Sequence, residues 1–372
     1  MGVPKFSARH YQFREQLLKQ FLATEYLPTP KPPKDLVYIN LKNGTFEVGP
    51  SVMRLRRFDR KDFLTYQLPF EYVTTAKAPI FQSYLDRVLP DKEGQRILAE
   101  YLGYLFVKHG SNTLKEEKAL ILFGTGANGK SVFFEVVNAL LGAENVSSYS
   151  LQSLTDSTGY YRAMIANKLV NYASEINGKL ETSIFKQLVS GEPVEARLPY
   201  GKPMQITQYA KLIFNSNELP KDVEHTLAFF RRFLIIPFHV TIPEKEQDKQ
   251  LHTKIIENEL SGVFNWVIAG LNRLLNQGGF SECKAALQAV EQFKIESDSV
   301  RLFLEENGYK RSSDSSKLIK DLFKEYRSFC FDSEFKPVQR VNFKRRLANI
   351  GLLIERRNIG FVVYLTKETA LS

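Results

Sequence analysis

The stretch that most restricts what this chain can fold into is ALILFGTGANGKSVFFEVVNALLG, from Ala119 to Gly142. Gly124, Gly126 and Gly129 fall close together and are followed at once by Lys130 and Ser131. An apolar run precedes them and an amphipathic one follows. Glycines accept backbone conformations that a Cβ forbids, so successive N–H groups can turn inward around one anion. A helix starting where the loop ends adds the positive end of its dipole. G-x-x-x-x-G-K-[ST], with a strand before it and a helix after it, is the complete phosphate-loop pattern. Gly124, Thr125, Gly126, Ala127, Asn128, Gly129, Lys130, Ser131 and Val132 are therefore expected to hold a nucleoside triphosphate. Lys130 would bridge the β- and γ-phosphates and the Ser131 hydroxyl would complete Mg²⁺ coordination, so the expected cofactors are ATP and Mg²⁺.

The rest of the chain narrows the use of that triphosphate. Its 372 residues carry a formal charge of +10, which favours a polyanionic partner. Cys283 and Cys330 cannot form a disulfide framework, and His10, His109, His225, His239 and His252 have no metal-ligand spacing. No run approaches the ~18 apolar residues of a membrane span. The opening MGVPKFSARHYQFREQ has no apolar signal core, so a cytoplasmic protein is expected.

Periodicity divides the chain into four parts: 1–33, 34–110, 111–296 and 297–372. Phe13, Leu17, Leu18 and Phe21 lie at helical spacing in an expected helix from Met1 to Tyr26, followed by the linker PTPKPP. VYINLKNGTFEV predicts a hairpin at Asn43-Gly44 with a type I′ turn. Two helices are expected over Ala78–Leu89 and Lys92–Lys108. From there KALILF, NVSSY, KLVNYAS, KLIFNS and FLIIPF read as short buried strands. Helices are expected between them at Lys130–Leu141 and Glu181–Ser190, and after them across Glu244–Gln277. This is an α/β domain with a mostly parallel sheet. After a break at Glu296-Ser297-Asp298-Ser299 come expected helices at Val300–Asn307, Lys317–Phe331 and Val341–Ile350, then two strands around Asn358-Ile359-Gly360. That order predicts a winged-helix module. From Ser297 onward 15 Lys and Arg face 10 Asp and Glu, half of the chain's surplus on a fifth of its length.

Three further stretches carry candidate chemistry. KLVNYASE ends in Glu175, expected as the general base, or as the residue that orients the attacking water, and as a ligand of Mg²⁺. Position 174 is serine, so a tandem acid pair is absent and Ser174 is a candidate helper. KLIFNSNELP ends in Asn217, whose amide would sense the γ-phosphate and lytic water, with Asn215 competing for that role. In FFRRFLIIPF, Arg231 and Arg232 precede a strand and either one is a candidate arginine finger for a neighbouring subunit. Between these, VEARLPYGKPMQI reads as a hairpin whose tip, with Arg197, Tyr200 and Lys202, suits a nucleic-acid strand.

GTGANGKS, LVNYASE, SGEPVEARLPYGKP, KLIFNSNELP and RRFLIIPF, in that order, resemble superfamily 3 helicases of the AAA+ class. They are most similar to the helicase part of phage and plasmid primases and of poxvirus-type primase-helicases. PFEYVTTAKAPIFQSYLDRVLPDKEGQRILAEYLGYLF resembles the helical module before such ATPases, and LSGVFNWVIAGLNRLLNQGGF the helices after the sensor. The resemblance spans roughly Lys34 to Leu365. It implies a homo-hexameric ring with ATP between subunits, Arg232 as the likelier finger, and Lys202 in a channel that tracks single-stranded or forked DNA 3′ to 5′. It also implies a primase domain or subunit as partner. The alternative from a different class is an ATP-dependent DNA-binding initiator or remodeller without processive unwinding. A kinase or GTPase is disfavoured, since no guanine-reading motif accompanies the basic tail.

Overall fold

The computed structural model describes residues 9–24, 35–111, 113–174, 176, 180–220, 223–333 and 335–367, with backbone alone at 22–24. The first helix, α1 (Tyr11–Thr24), covers the described part of the helix expected over Met1–Tyr26. Strands β1 (Val37–Leu41), β2 (Gly44–Gly49) and β3 (Val52–Arg56) form an antiparallel meander, of which β3 is not legible in the sequence. The β1–β2 hairpin is where expected, but its turn is not type I′, because neither Lys42 nor Asn43 has a positive φ. Asn43 instead ties the turn to a distant backbone: its Nδ2 donates to the Tyr72 carbonyl at 2.9 Å and its Oδ1 accepts from the Tyr72 N–H at 3.0 Å.

Helices α2 (Pro79–Val88) and α3 (Lys92–Tyr104) follow. Asp91 caps α3 through the Glu93 N–H. The start of α2 has no cap of its own beyond Pro79. The buried Glu259 carboxylate supplies one from far along the chain, accepting from the N–H groups of Ile80 at 2.9 Å and Phe81 at 2.8 Å.

The central part runs β4 (Ala119–Phe123), α4 (Lys130–Leu141), β5 (Val146–Ser147), α5 (Leu151–Leu154), α6 (Tyr160–Met164), β6 (Val170–Ala173), α7 (Thr182–Ser190), β7 (Val194–Arg197), β8 (Pro203–Ile206), β9 (Lys211–Ser216), α8 (Leu227–Phe230), β10 (Phe233–Pro237), α9 (Leu251–Gln277) and α10 (Lys284–Glu296). All five expected strands are present and pair in parallel in the order β10-β4-β9-β6-β5. This is an α/β NTPase-like core. The helix expected across Glu244–Gln277 starts only at Leu251, after one 3₁₀ turn at Glu244–Glu246. Ala119 to Leu122 are wholly buried, since β4 has strands on both edges and helices over both faces. One apolar cluster joins α3, α4, α9 and the meander on one face of the sheet; the other joins α7, the β7–β8 hairpin, α8 and α10.

β9 opens on a buried cation. Lys211 Nζ donates to the Val107 carbonyl and lies 4.4 Å from the centre of the Tyr104 ring. Burial pushes its pKa down to about 7, from an ordinary value of 10.5. Between these values the unfolded chain binds more protons than the folded one, so this residue makes stability rise with pH from about 7 to 10.5 and is most costly below 7. Lys211→Met is expected to raise the melting temperature at pH 6.5 and to lose most of that advantage by pH 9.5. Melting curves at the two pH values check this; an equal gain at both would refute it.

The last part runs α11 (Ser299–Glu306), β11 (Tyr309–Leu318), α12 (Ile319–Asp332), α13 (Arg340–Asn349), β12 (Ile354–Arg357) and β13 (Gly360–Lys367) around its own apolar cluster. The expected terminal pair of strands is a three-stranded antiparallel sheet, β11-β13-β12. The helix expected from Lys317 starts at Ile319, because Lys317 and Leu318 pair with β13.

Candidate nucleotide site

The phosphate loop leaves β4 at half-buried Phe123 and enters α4 at Lys130. Gly126 has φ +110°, Ala127 +49° and Gly129 +83°. Ala127 is thus a non-glycine residue held in the left-handed region, a strain that folded proteins keep mainly where a loop must hold a shape. Gly124 tolerates no side chain: a Cβ there would lie 2.3 Å from Asn128 Nδ2 and 2.4 Å from the Phe238 carbonyl oxygen. Asn128 Nδ2 donates to that carbonyl at 3.1 Å and Ile242 N–H donates to the Ala127 carbonyl at 2.8 Å. The segment after β10 therefore braces the loop from behind.

Lys130 is buried, and burial lowers its pKa. Its Nζ donates to the Gly124 carbonyl at 2.5 Å, Asn128 Oδ1 at 3.1 Å and Asn217 Oδ1 at 3.3 Å. Among the described residues the ammonium thus has only neutral acceptors, a poor match for a desolvated charge and a good one for an incoming anion. A cleft of about 1140 Å³ opens over it, lined by Gly126 to Val132, Ser174, Asn215 and Asn217. The strand order makes this possible. β9 lies directly between β4 and β6, so the ends of all three strands share one edge. Thr125 joins Gly124 to Gly126 on the loop, and Ser131 is exposed on the first turn of α4. Glu175 lies outside the described residues; its neighbour Ser174 lines the cleft.

The far wall comes from residues that sequence reading missed. Ile80, Ser83, Tyr84, Arg87 and Val88 of α2 line the cleft, as do Ile242, Glu246–Lys249, Leu251 and His252. The Tyr84 hydroxyl donates to the Gly129 carbonyl at 2.8 Å and Arg87 pairs with Glu246 across the gap. In the sequence Tyr84 and Val88 show only core spacing, which no local signal separates from a cleft wall.

The two arginines differ. They follow the one-turn helix α8 and precede β10, so they end a helix as well as starting a strand. Phe233 pairs with Ala119, the first residue of β4, so both arginines sit at the edge opposite the phosphate loop. At about 3.3 Å per strand residue they stand on the order of 15 Å from their own chain's loop. Arg232 is buried: its Nη2 bonds Ser190 Oγ at 3.0 Å and Glu117 Oε2 at 3.2 Å, and its Nε has no partner among the described residues. Arg231 shares Glu117 at 3.2 Å but keeps its side chain 58 % exposed, against 9 % for Arg232.

The hairpin forms as expected, β7 pairing β8 from Val194↔Ile206 to Arg197↔Pro203. Its tip is exposed. Tyr200 is fully exposed with φ +60°, and Lys202 stands beside it. The Gly201 N–H donates to the Leu198 carbonyl at 2.8 Å and Arg197 Nε donates to the Gly201 carbonyl at 3.2 Å, which pins the turn and presents the ring outward. Only four residues separate β8 from β9, the strand that carries Asn215 and leads into Asn217.

Among the described residues no group of three or more His, Cys, Asp and Glu side chains is placed to hold a metal, and no helix is long and apolar enough to cross a membrane. Comparison with known proteins adds the following. Residues 122–232 match the family described as "Family of unknown function (DUF5906)", and residues 3–90 match the one described as "D5 N terminal like". A protein of Acanthamoeba polyphaga mimivirus named "Putative helicase L207/L206" is 25% identical over 212 residues, 54% of this chain. The match spans 21% of that relative's length. The solved structure described as the A form of the NrS-1 C-terminal region, residues 305–718, aligns at a TM-score of 0.50 with 15% identity, over 95% of this chain and 90% of that one. At that identity the likeness concerns the fold alone: the arrangement of parts in this chain has a solved counterpart.

Proposed function

We propose that this chain is an ATP-dependent DNA helicase of the superfamily 3 AAA+ type. It would act as a homo-hexameric ring in the replication of a phage, plasmid or other mobile element, moving 3′ to 5′ on single-stranded DNA. The observation that carries this reading is the juxtaposition of Lys130, Asn215, Asn217 and Ser174 around one cleft, with an exposed basic hairpin continuous with the sensor strand. The similarity to a mimivirus protein named as a helicase, and the match described as D5 N terminal like, support it.

The left-handed loop residues and the buried lysine fit a triphosphate. Lys130 exchanges its neutral acceptors for phosphate oxygens, and Asn217 loses its hold on Lys130 in the same event. Ser131 and Glu175 would hold Mg²⁺, which would supply neutralisation of the phosphate charge. Glu175 takes a proton from water or orients it, and Asn217 senses the phosphate that leaves. Because β9 follows the hairpin after four residues, a shift at Asn217 is passed to Tyr200 and Lys202, which grip bases and phosphates. Arg231, exposed and too far from its own loop, is the guanidinium free to reach a neighbour's γ-phosphate, while buried Arg232 holds the strand start in place. The 297–372 part has the helix-strand-helix-helix-strand-strand order of a winged helix and would bind DNA phosphates through Arg340, Arg345 and the β12–β13 turn. A primase domain or subunit would act beside it.

The test is displacement of a strand from a forked duplex by the full chain with ATP. Tyr200→Ala combined with Lys202→Ala is expected to lower both DNA-stimulated hydrolysis and displacement about tenfold or more, the loss of one stacked base and one phosphate contact. A chain that hydrolyses ATP but never opens the fork would sink the motor reading. Strong sequence preference at physiological salt would instead favour an origin-binding initiator.

A further inference from the structure

Asn215 lies near the end of β9 and Asn217 just beyond its last residue, Ser216, and both line the cleft. They are held differently. Asn217 Oδ1 accepts from Lys130 Nζ, whereas Asn215 Oδ1 accepts from the Tyr172 hydroxyl at 2.9 Å. Tyr172 lies on β6, the neighbouring strand, with no exposed surface, and its ring meets Phe134 edge-on at 4.8 Å. Burial lifts this phenol well above its ordinary range, so the hydroxyl keeps its proton and remains a donor. An amide whose oxygen is taken by a buried donor presents its NH₂ on the other side. Asn215 lines the cleft on the wall that also holds Ser174, so the NH₂ is the end of the amide left to face it. An NH₂ is two donors and no acceptor: it cannot ligate a cation, and it can bond an anionic oxygen.

We infer that Tyr172 is a positioning residue that locks the Asn215 amide with its nitrogen toward the cleft, and that Asn215 donates to the terminal phosphate of the bound triphosphate. This rests on the nucleotide reading above and adds to it a second amide with a separate task. The register explains why the terminal phosphate is the partner. Asn215 stands opposite Leu122 of β4, one strand from the loop in the direction of β6, which Ser174 follows at the cleft. The part of the cleft walled by α2 is left for the nucleoside. Asn217 senses that phosphate through its hold on Lys130, and Asn215 bonds it directly.

The experiment compares the full chain's affinity for ADP and for the β,γ-imido analogue of ATP, both with Mg²⁺. Asn215→Ala and Tyr172→Phe are each expected to weaken the triphosphate analogue about tenfold, the loss of one hydrogen bond to a charged group, and ADP less than twofold. Tyr172→Phe keeps the ring against Phe134, so its melting temperature should stay at the wild-type value. A general packing defect would weaken both nucleotides alike, and that result overturns the inference, as does no loss at all. Asn215→Asp should lose the analogue at least as strongly as alanine. If the aspartate variant binds it normally, the group facing the cleft is an acceptor and the assignment fails. A wild-type chain that binds neither nucleotide overturns the nucleotide reading itself. Loss of both in Lys130→Ala, with the selective loss absent in Asn215→Ala, overturns this inference alone.

Discussion

Lys130→Ala is expected to abolish triphosphate hydrolysis, with a fall of at least about 10²-fold, while the fold stays intact. The two halves of that expectation have separate causes. Lys130 is the cation at the heart of the cleft, and its pKa is lowered by burial, so it gives up little hydration when an anion arrives. Removing it takes from the developing charge on the phosphates the one cation that the loop itself supplies. The structural cost is small, because Gly124, Asn128 and Asn217 lie at an open cleft where water replaces the ammonium, and Asn128 keeps its bond to Phe238. Phosphate release measured beside a thermal melt checks both halves. Hydrolysis within a few-fold of wild type, in a variant that melts normally, would remove the phosphate loop from the chemistry.

The largest expected effect on stability lies far from the loop, where α3 crosses α9. A Cβ on Gly270 would stand 2.3 Å from the Ala99 carbonyl carbon and 2.5 Å from its oxygen; one on Gly103 would stand 2.5 Å from Leu271 Cβ and 2.8 Å from its Cα. Each helix places a glycine against the backbone of the other, and neither backbone can move without displacing the core. Gly270→Leu is therefore expected to destabilise the chain by about 3 kcal/mol or more, the upper range for overpacking a core. Gly110→Asn serves as contrast: φ there is +70°, no atom lies within 4 Å of the added Cβ, and asparagine tolerates that conformation. It should change stability by about 0.5 kcal/mol or less, as ordinary surface substitutions do. Denaturant titration of both variants measures the difference; similar midpoints would mean the two helices can part freely. Since α2 is capped by Glu259 of α9 and lines the cleft, a loosened crossing should also raise the nucleotide concentration needed for half-maximal hydrolysis.

Several corrections to the sequence reading share one cause. YKRSSDSSKL, Tyr309 to Leu318, is polar between its first and last residues and alternates nowhere, yet it is a strand because β13 offers it an edge. The turn at Lys42-Asn43 avoids left-handed backbone because the Asn43 amide bonds Tyr72, 29 residues away. Arg231 and Arg232 are indistinguishable as a dipeptide; Ser190 and Glu117, both distant in sequence, bury one and leave the other exposed.

The amino-acid sequence by itself determined the phosphate loop, the five core strands with their helices, the hairpin with its aromatic and basic tip, and the surplus positive charge of the last fifth. Each of these is set by neighbours within a few residues: glycines that free the backbone, apolar runs that must be buried, alternation that needs two faces. Only the tertiary structure decided that β9 lies between β4 and β6, that α2 forms the far wall of the cleft, and that the Tyr172 hydroxyl turns the Asn215 amide. Those outcomes depend on which distant surfaces bury each other and which buried polar atoms find partners, and no local stretch of sequence carries that information.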